Sequence, residues 1–334
     1  MSGALVICAG GGIGDVLLAT PVMRALRARY GGVVALTSRV HRDVLADNSD
    51  LADVWTDDAP FAETAARIAR DGFDASVTTW ATLRSSALPY VARVPVRVGQ
   101  ARRLYSRLFT HRVAVRSESG DRTTHWTQVL LDFARALDCD VEDATPTFTI
   151  TDAARASTAR LVETALASST NRAYVVLHPT RGIAAARARW PVAKLAEVAR
   201  ALGPAFDARV VVTGGGDDAE IADAVARDGD AVSFGGRTTL AEFGALAAGA
   251  RVVVAMDSGP MHVAAAVGAA TLGIFALQSD EPARWAPLGP RTAVVRASYP
   301  CPPGHRKETC PDFACIAALD VPRIVAAAGG LLAS

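Results

Sequence analysis

Two stretches of this chain carry residues whose types and spacing could do chemistry. Near the amino end, a glycine-rich run over 9–14 leads into Asp15. A carboxylate in a tight glycine turn can approach a ligand closely, and a general base must stand within hydrogen-bond reach of the proton it takes. Read structurally, the same residue is a helix-start carboxylate that satisfies backbone N–H groups. Near the other end, Asp257-Ser258-Gly259-Pro260-Met261-His262 follows the apolar run 252–254. Asp257 and Ser258 are good N-caps and Pro260 suits a first helical position, so a buried strand is expected to turn into a helix here. Such a turn aims backbone N–H groups at an anion, which makes Ser258, Gly259 and Met261 the expected rim of a phosphate site.

These residues need elements to hold them, and the apolar pattern supplies them. Short runs over 4–8, 33–37, 174–177, 209–213 and 271–275 read as apolar, buried strands, and 74–78 and 96–99 read as further strands. Helical patterns alternate with them over 61–70, 83–88 (interrupted by Pro89), 125–137, 152–167, 241–248, 261–267 and 321–332. Strand and helix in alternation is the signature of an α/β fold with parallel sheets. The polar segment 138–146 and the loop 168–171 mark a boundary. The expected domains are therefore 1–165 and 170–318, with a terminal helix in 319–334 that could pack back toward the first domain.

At 334 residues the chain is long enough for two ordinary cores. Half of it is hydrophobic and the net charge is +1, which argues against a disordered chain and against a nucleic-acid-coating protein. No apolar run reaches the length of a membrane span, and a soluble, cytoplasmic protein is expected. The first glycine loop is not a dinucleotide fingerprint, because Asp15 stands where the third glycine belongs, although Arg39 follows the next strand where a reader of NADP would sit. Arg97, Arg102, Arg103, Arg107, His111, Arg112, Arg116 and Arg122 gather around Tyr105 and Phe109. They could grip an anionic or polyhydroxylated acceptor, or they could be solvated loop arginines. His125 and Trp126 could line the same place.

The run Asp257 to His262, the Arg284-Trp285-x-Pro287-x-Gly289 pattern, Gly14-Asp15, His178-Pro179 and Trp190-Pro191 together resemble glycosyltransferase family 9, the heptosyltransferases. The resemblance spans nearly the whole chain. It implies the GT-B arrangement of two facing Rossmann-like domains with parallel sheets. It also implies an inverting, metal-independent transfer of a heptose from a nucleotide diphosphate sugar, usually ADP-heptose. The acceptor would be a hydroxyl of a lipopolysaccharide core or of a small metabolite such as an antibiotic precursor; a lipid acceptor would bring peripheral membrane contact.

In that reading Asp15 is the base, and Gly12, Gly14, Arg103 and His125 face the acceptor. Departure of the diphosphate creates negative charge that fixed donors can meet. Thr180, Arg181, Arg187, Arg189, Ser258, Gly259, Met261 and His262 would hold it. Asp257 would cap the helix and organise the loop, while Asp218 or Glu220, after a glycine-rich turn, would accept hydrogen bonds from the ribose. One departure stands out: the family commonly has a lysine two residues before the tryptophan, and this chain has Ala188. No cofactor is expected beyond the donor. A sugar-nucleotide epimerase or hydrolase, or a non-catalytic nucleotide-sugar-binding protein, would be alternatives on the same fold.

Five cysteines make an odd count that does not suggest a disulfide framework. Cys301, Cys310 and Cys315, with His305 nearby, could complete a tetrahedral metal site, as cysteines hold iron in some relatives, or could simply be packed thiols. Many relatives place another cysteine where this chain has Gly304.

Overall fold

The computed structural model describes residues 3–167, 169, 171–180, 190–277, 280–302 and 309–333. The chain folds as two units, Met1–Thr149 and Ile150–Ser334. In the first, β1 (Ala4–Cys8), β2 (Val33–Thr37), β3 (Asp53–Thr56), β4 (Ala75–Thr78), β5 (Val96–Gln100) and β6 (His111–Val113) form one sheet ordered β3-β2-β1-β4-β5-β6. In the second, β7 (Tyr174–His178), β8 (Arg209–Gly214), β9 (Val232–Gly235), β10 (Val253–Met256), β11 (Thr271–Phe275) and β12 (Thr292–Arg296) are ordered β12-β11-β10-β7-β8-β9. Every pairing is parallel. Both units are thus doubly wound α/β sheets of one topology, as the alternating pattern predicts.

The helices of the first unit are α1 (Ile13–Leu17), α2 (Thr20–Tyr30), α3 (Phe61–Asp71), α4 (Leu83–Val91) and α5 (Trp126–Arg135). Those of the second are α6 (Asp152–Ala165), α7 (Val192–Ala205), α8 (Ala219–Asp228), α9 (Leu240–Gly249), α10 (Gly259–Ala266), α11 (Pro282–Trp285), α12 (Ala314–Ala317) and α13 (Val321–Gly330). Helices on both faces explain why β1, β7, β10 and β11 are buried along their whole length. One first-unit core joins Leu5, Ile7, Leu36, Trp55, Ile68, Phe73 and Leu88. Pro89, expected to interrupt α4, is accommodated near its end, where a missing N–H costs one hydrogen bond.

Two boundaries differ from the expectation. Helix α6, read as the end of the first domain, packs on α9 and belongs to the second unit. Its Ser157 hydroxyl donates to Glu242 Oε1 at 2.6 Å and its Thr158 hydroxyl to the Glu242 carbonyl at 3.1 Å. The helix buries only Ala154 and Thr158, so its sequence carries little sign of which core it serves. The terminal helix α13, for its part, places Ile324, Ala328 and Leu331 in the second unit's core, beside α7, β11 and β12. Among the described residues no helix is long and apolar enough to cross a membrane.

In each sheet the direction of winding reverses once, between β1 and β4 and between β7 and β10. Loops leaving the carboxyl ends of strands diverge at such a reversal and open a crevice, where ligands of open α/β sheets bind. Asp15 follows β1 at the first reversal, and Thr180 and Ser258 follow β7 and β10 at the second.

Candidate active site

In the first unit, β1 runs into Gly10, Gly11 and Gly12. Gly11 has φ +76°, a left-handed conformation, and a Cβ there would lie 2.6 Å from Asp15 Oδ2. Only glycine lets the turn close this tightly over the carboxylate. The Gly12 N–H donates to Asp15 Oδ2 at 2.8 Å, so Asp15 does serve the start of α1 as the structural reading expects. It is also half-buried and lines a small hollow with Cys8, Gly10, Thr79, Trp80, Trp126 and Leu130. Burial pushes the Cys8 thiol up to about 12, which keeps it protonated and inert beside the carboxylate.

His41 is a neighbour that the sequence reading did not single out. Its Nδ1 lies 2.9 Å from Ser38 Oγ, in the turn after β2. Burial lowers its pKa, and the charge of Asp15 opposes that shift. Trp80 was missed as well; it follows β4 on the far side of the same reversal and is 41% exposed. Neither carries a local motif, and only the strand order brings them to Asp15.

The expected acceptor residues separate. Gly12 is exposed and engaged with Asp15, while Gly14 lies within α1 and its carbonyl accepts the Leu18 N–H at 2.8 Å. His125 caps α5, its Nδ1 accepting the Thr127 N–H at 3.2 Å. Arg103 is exposed and 3.7 Å from Glu118. Much of the basic cluster has structural work: the Arg97 guanidinium donates to the carbonyls of Leu108 and Val94, Arg102 donates to that of Glu118, and Arg116 holds Asp132 at 2.6 and 2.8 Å.

In the second unit, β7 and β10 lie side by side, with His178 in register with Ala255. Thr180 follows the first strand and Ser258 the second. Both hydroxyls are buried, and neither has a hydrogen-bond partner among the described residues. Ser258 sits at the N-cap of α10 without using its side chain to cap. A buried unpaired hydroxyl is costly and native proteins carry few of them, so two at one reversal call for an explanation. The loop that presents Thr180 is pinned from behind. Trp190 Nε1–H donates to the Pro179 carbonyl at 2.9 Å, and its ring packs against Phe313 at 5.1 Å.

Around this pair, Asp257 and His262 are buried at 6% and 4% exposure, at the strand end and in the first turn of α10. The Met261 side chain is fully buried beneath Gly273, and its N–H donates to the Ser258 carbonyl at 3.1 Å. The helix turns so that Met261 fills the core and leaves Ser258 and Gly259 on the open side. Asp218 is buried and Glu220 exposed. His178 ends β7, its Nδ1 3.0 Å from Thr213 Oγ1. Burial lowers its pKa to about 4 against the opposing charge of Asp218, so the ring is neutral at pH 7.

Arg181, Arg187, Arg189 and Ala188 lie outside the described residues, as do Gly304 and His305. Among the described residues Cys301, Cys310 and Cys315 form no disulfide. Burial raises Cys315 to about 11, with a further rise from the charges of Cys310 and Cys301. Among the described residues no group of three histidine, cysteine or acidic side chains is arranged to hold a metal ion.

The model of glycosyltransferase family 9 (heptosyltransferase) matches residues 62–312. Three solved structures share the fold. A family 9 glycosyl transferase from Veillonella parvula superposes with a TM-score of 0.80 at 18% identity, covering 99% of this chain and 97% of the other. The ADP-heptose lipopolysaccharide heptosyltransferase II of E. coli gives 0.78 at 19% identity, covering 99% and 98%. The E. coli heptosyltransferase WaaC with ADP gives 0.64 at 18%, covering 89% and 93%.

Proposed function

Because the chain belongs to glycosyltransferase family 9, we propose that it moves a heptose from ADP-heptose to an acceptor hydroxyl, inverting the anomeric centre and needing no metal for catalysis. The observation that carries the donor half is the pair of partnerless hydroxyls, Thr180 Oγ1 and Ser258 Oγ, at the reversal of the second sheet. A diphosphate is an acceptor-rich group that satisfies both at once, and the first turn of α10 adds its dipole. Gly259 and His262 stand in that first turn, and Asp257 holds the strand end from which it springs. Asp218 or Glu220 would take the ribose hydroxyls. Arg181, Arg187 and Arg189 are proposed to supply positive charge in place of the absent family lysine.

In the first unit Asp15 is the proposed base, with Gly12, Gly14, Arg103 and His125 on the acceptor side. The acceptor oxygen attacks the anomeric carbon as its proton passes to the Asp15 carboxylate. The bond from that carbon to the diphosphate breaks with its electron pair, leaving the nucleoside diphosphate. A single displacement inverts the centre. Electrostatic support for the departing diphosphate is pre-organised in the second unit and needs no carboxylate cluster for magnesium. The acceptor is proposed to be a lipopolysaccharide core saccharide or a small hydroxylated metabolite.

The test incubates ADP-heptose with a deacylated core oligosaccharide, with small glycosides, and with no acceptor, each with and without a chelator. Asp15→Asn is expected to lose transfer by about 10²–10⁴-fold while ADP binding persists. Rapid donor turnover without acceptor, retention of anomeric configuration, or loss of wild-type transfer on chelation would each overturn the corresponding part.

A further inference from the structure

We propose that Trp80 is the acceptor's stacking platform, on whose indole a pyranose ring of the acceptor rests by its C–H face while one of its hydroxyls is presented to Asp15. The inference rests on the reading of Asp15 as the base.

Trp80 and Asp15 line the same hollow. The indole is seated on Gly10: a Cβ at that glycine would lie 2.0 Å from Trp80 Cδ1 and 2.5 Å from Nε1, so the absent side chain makes the seat. The backbone around it is held on all sides. The Thr79 N–H donates to the Ile7 carbonyl at 3.1 Å, Ser85 Oγ–H donates to the Trp80 carbonyl at 3.0 Å, and Tyr105 O–H to the Ala81 carbonyl at 2.7 Å. The Thr82 N–H in turn donates to Ser85 Oγ at 2.8 Å. A large aromatic group so firmly placed would be expected to bury its surface, yet Trp80 remains 41% exposed.

A rigid ring loses little entropy on binding, and the electron-rich indole face attracts the slightly positive C–H groups of a saturated ring. A pyranose carries both a C–H face and hydroxyls on its rim, so one ring can stack and offer a hydroxyl together. An acyl chain could cover Trp80 but brings no hydroxyl to Asp15. Leu83, the first residue of α4, and Leu104, after β5, are exposed at 67% and 90% and follow the carboxyl ends of strands on the same edge of the sheet.

The test uses the full chain labelled with 5-fluorotryptophan and read by fluorine NMR, the Trp80 signal being assigned from its loss in Trp80→Phe. Methyl glycosides of hexoses and heptoses are titrated in, and ADP in a separate series. The glycosides are expected to move the Trp80 signal and ADP to leave it in place. Trp80→Ala is expected to weaken glycoside binding about tenfold with ADP affinity unchanged, and Trp80→Phe less. Gly10→Ala, which keeps the indole but displaces it, is expected to weaken glycoside binding as well. Glycosides that bind while the Trp80 signal stays still, a Trp80 signal that no glycoside moves, or a Gly10→Ala protein that binds them as wild type does, overturns the proposal. Asp15→Asn separates the two readings: transfer surviving in that variant would sink the base, while a glycoside-induced Trp80 shift that persists in it would leave the platform standing.

Discussion

A hydroxyl buried without a partner is a small standing cost to the fold, and at Thr180 the cost has a measurable opposite side. Thr180→Val keeps the shape and removes the unpaired group, so the unliganded protein is expected to unfold at the same or a higher temperature. The same change should weaken ADP binding roughly tenfold. A valine variant that binds ADP like the wild type would show that the hydroxyl faces no phosphate. His178 supplies the pH dependence. Its folded pKa is about 4, below its unfolded value near 6.5, so the unfolded chain takes up a proton that the folded chain refuses. Stability should therefore fall as pH drops from about 6.5 to 4, by up to about 3 kcal/mol. Urea midpoints measured across that range for wild type and His178→Asn check it, and parallel curves would exclude His178 as the source. Asp15 and Ser258 are legible as candidates because glycine turns and N-caps are local signals, and Thr180 only through the family resemblance. His41 and Trp80 are not, because no local pattern distinguishes them from residues of an ordinary loop.

Among the elements, every strand interior to a sheet is expected from the sequence, whereas β3, β6, β9 and β12 are not. These four are the edges of the two sheets. An edge strand packs less of its surface, and Asp53, His111 and Arg112 on β3 and β6 are exposed. In β3 and β6 the pairing partner rather than composition makes the strand. Helix α6 illustrates the same limit, since two buried residues and two hydrogen bonds to Glu242 decide its unit. The turn between β1 and α1 is the opposite case, because Gly11 at φ +76° is dictated locally. Gly11→Ala places a methyl group where Asp15 Oδ2 lies and is expected to cost about 1–2 kcal/mol of stability. Because the carboxylate must move, kcat should fall more than donor affinity. Denaturation and steady-state kinetics on one preparation read both, and unchanged kcat would detach the turn from the chemistry.

Across the whole molecule, one topology is used twice; Asp15 stands at the reversal of the first sheet, and Thr180 and Ser258 at that of the second. The terminal helix ties the end of the chain into the second copy. Ile324→Ala removes a fully buried side chain from that core and is expected to cost about 2–5 kcal/mol. Two units need not unfold together, so the loss should appear in the thermal transition that ADP raises, with the other transition unmoved. A shift of both transitions together would refute the independence of the two cores.

From its residues alone this chain settles its α/β class, most of its buried strands, the family it belongs to and the polar groups that could handle a diphosphate and a proton. Those are consequences of short-range physics: apolar runs, glycine turns and helix caps act within a few residues of themselves. The tertiary structure alone decided the edge strands, the unit to which α6 and α13 belong, the burial of Met261, and the meeting of Trp80 and His41 with Asp15. Each of these depends on which distant segment lies alongside, and burial, pairing and field are set by that neighbour.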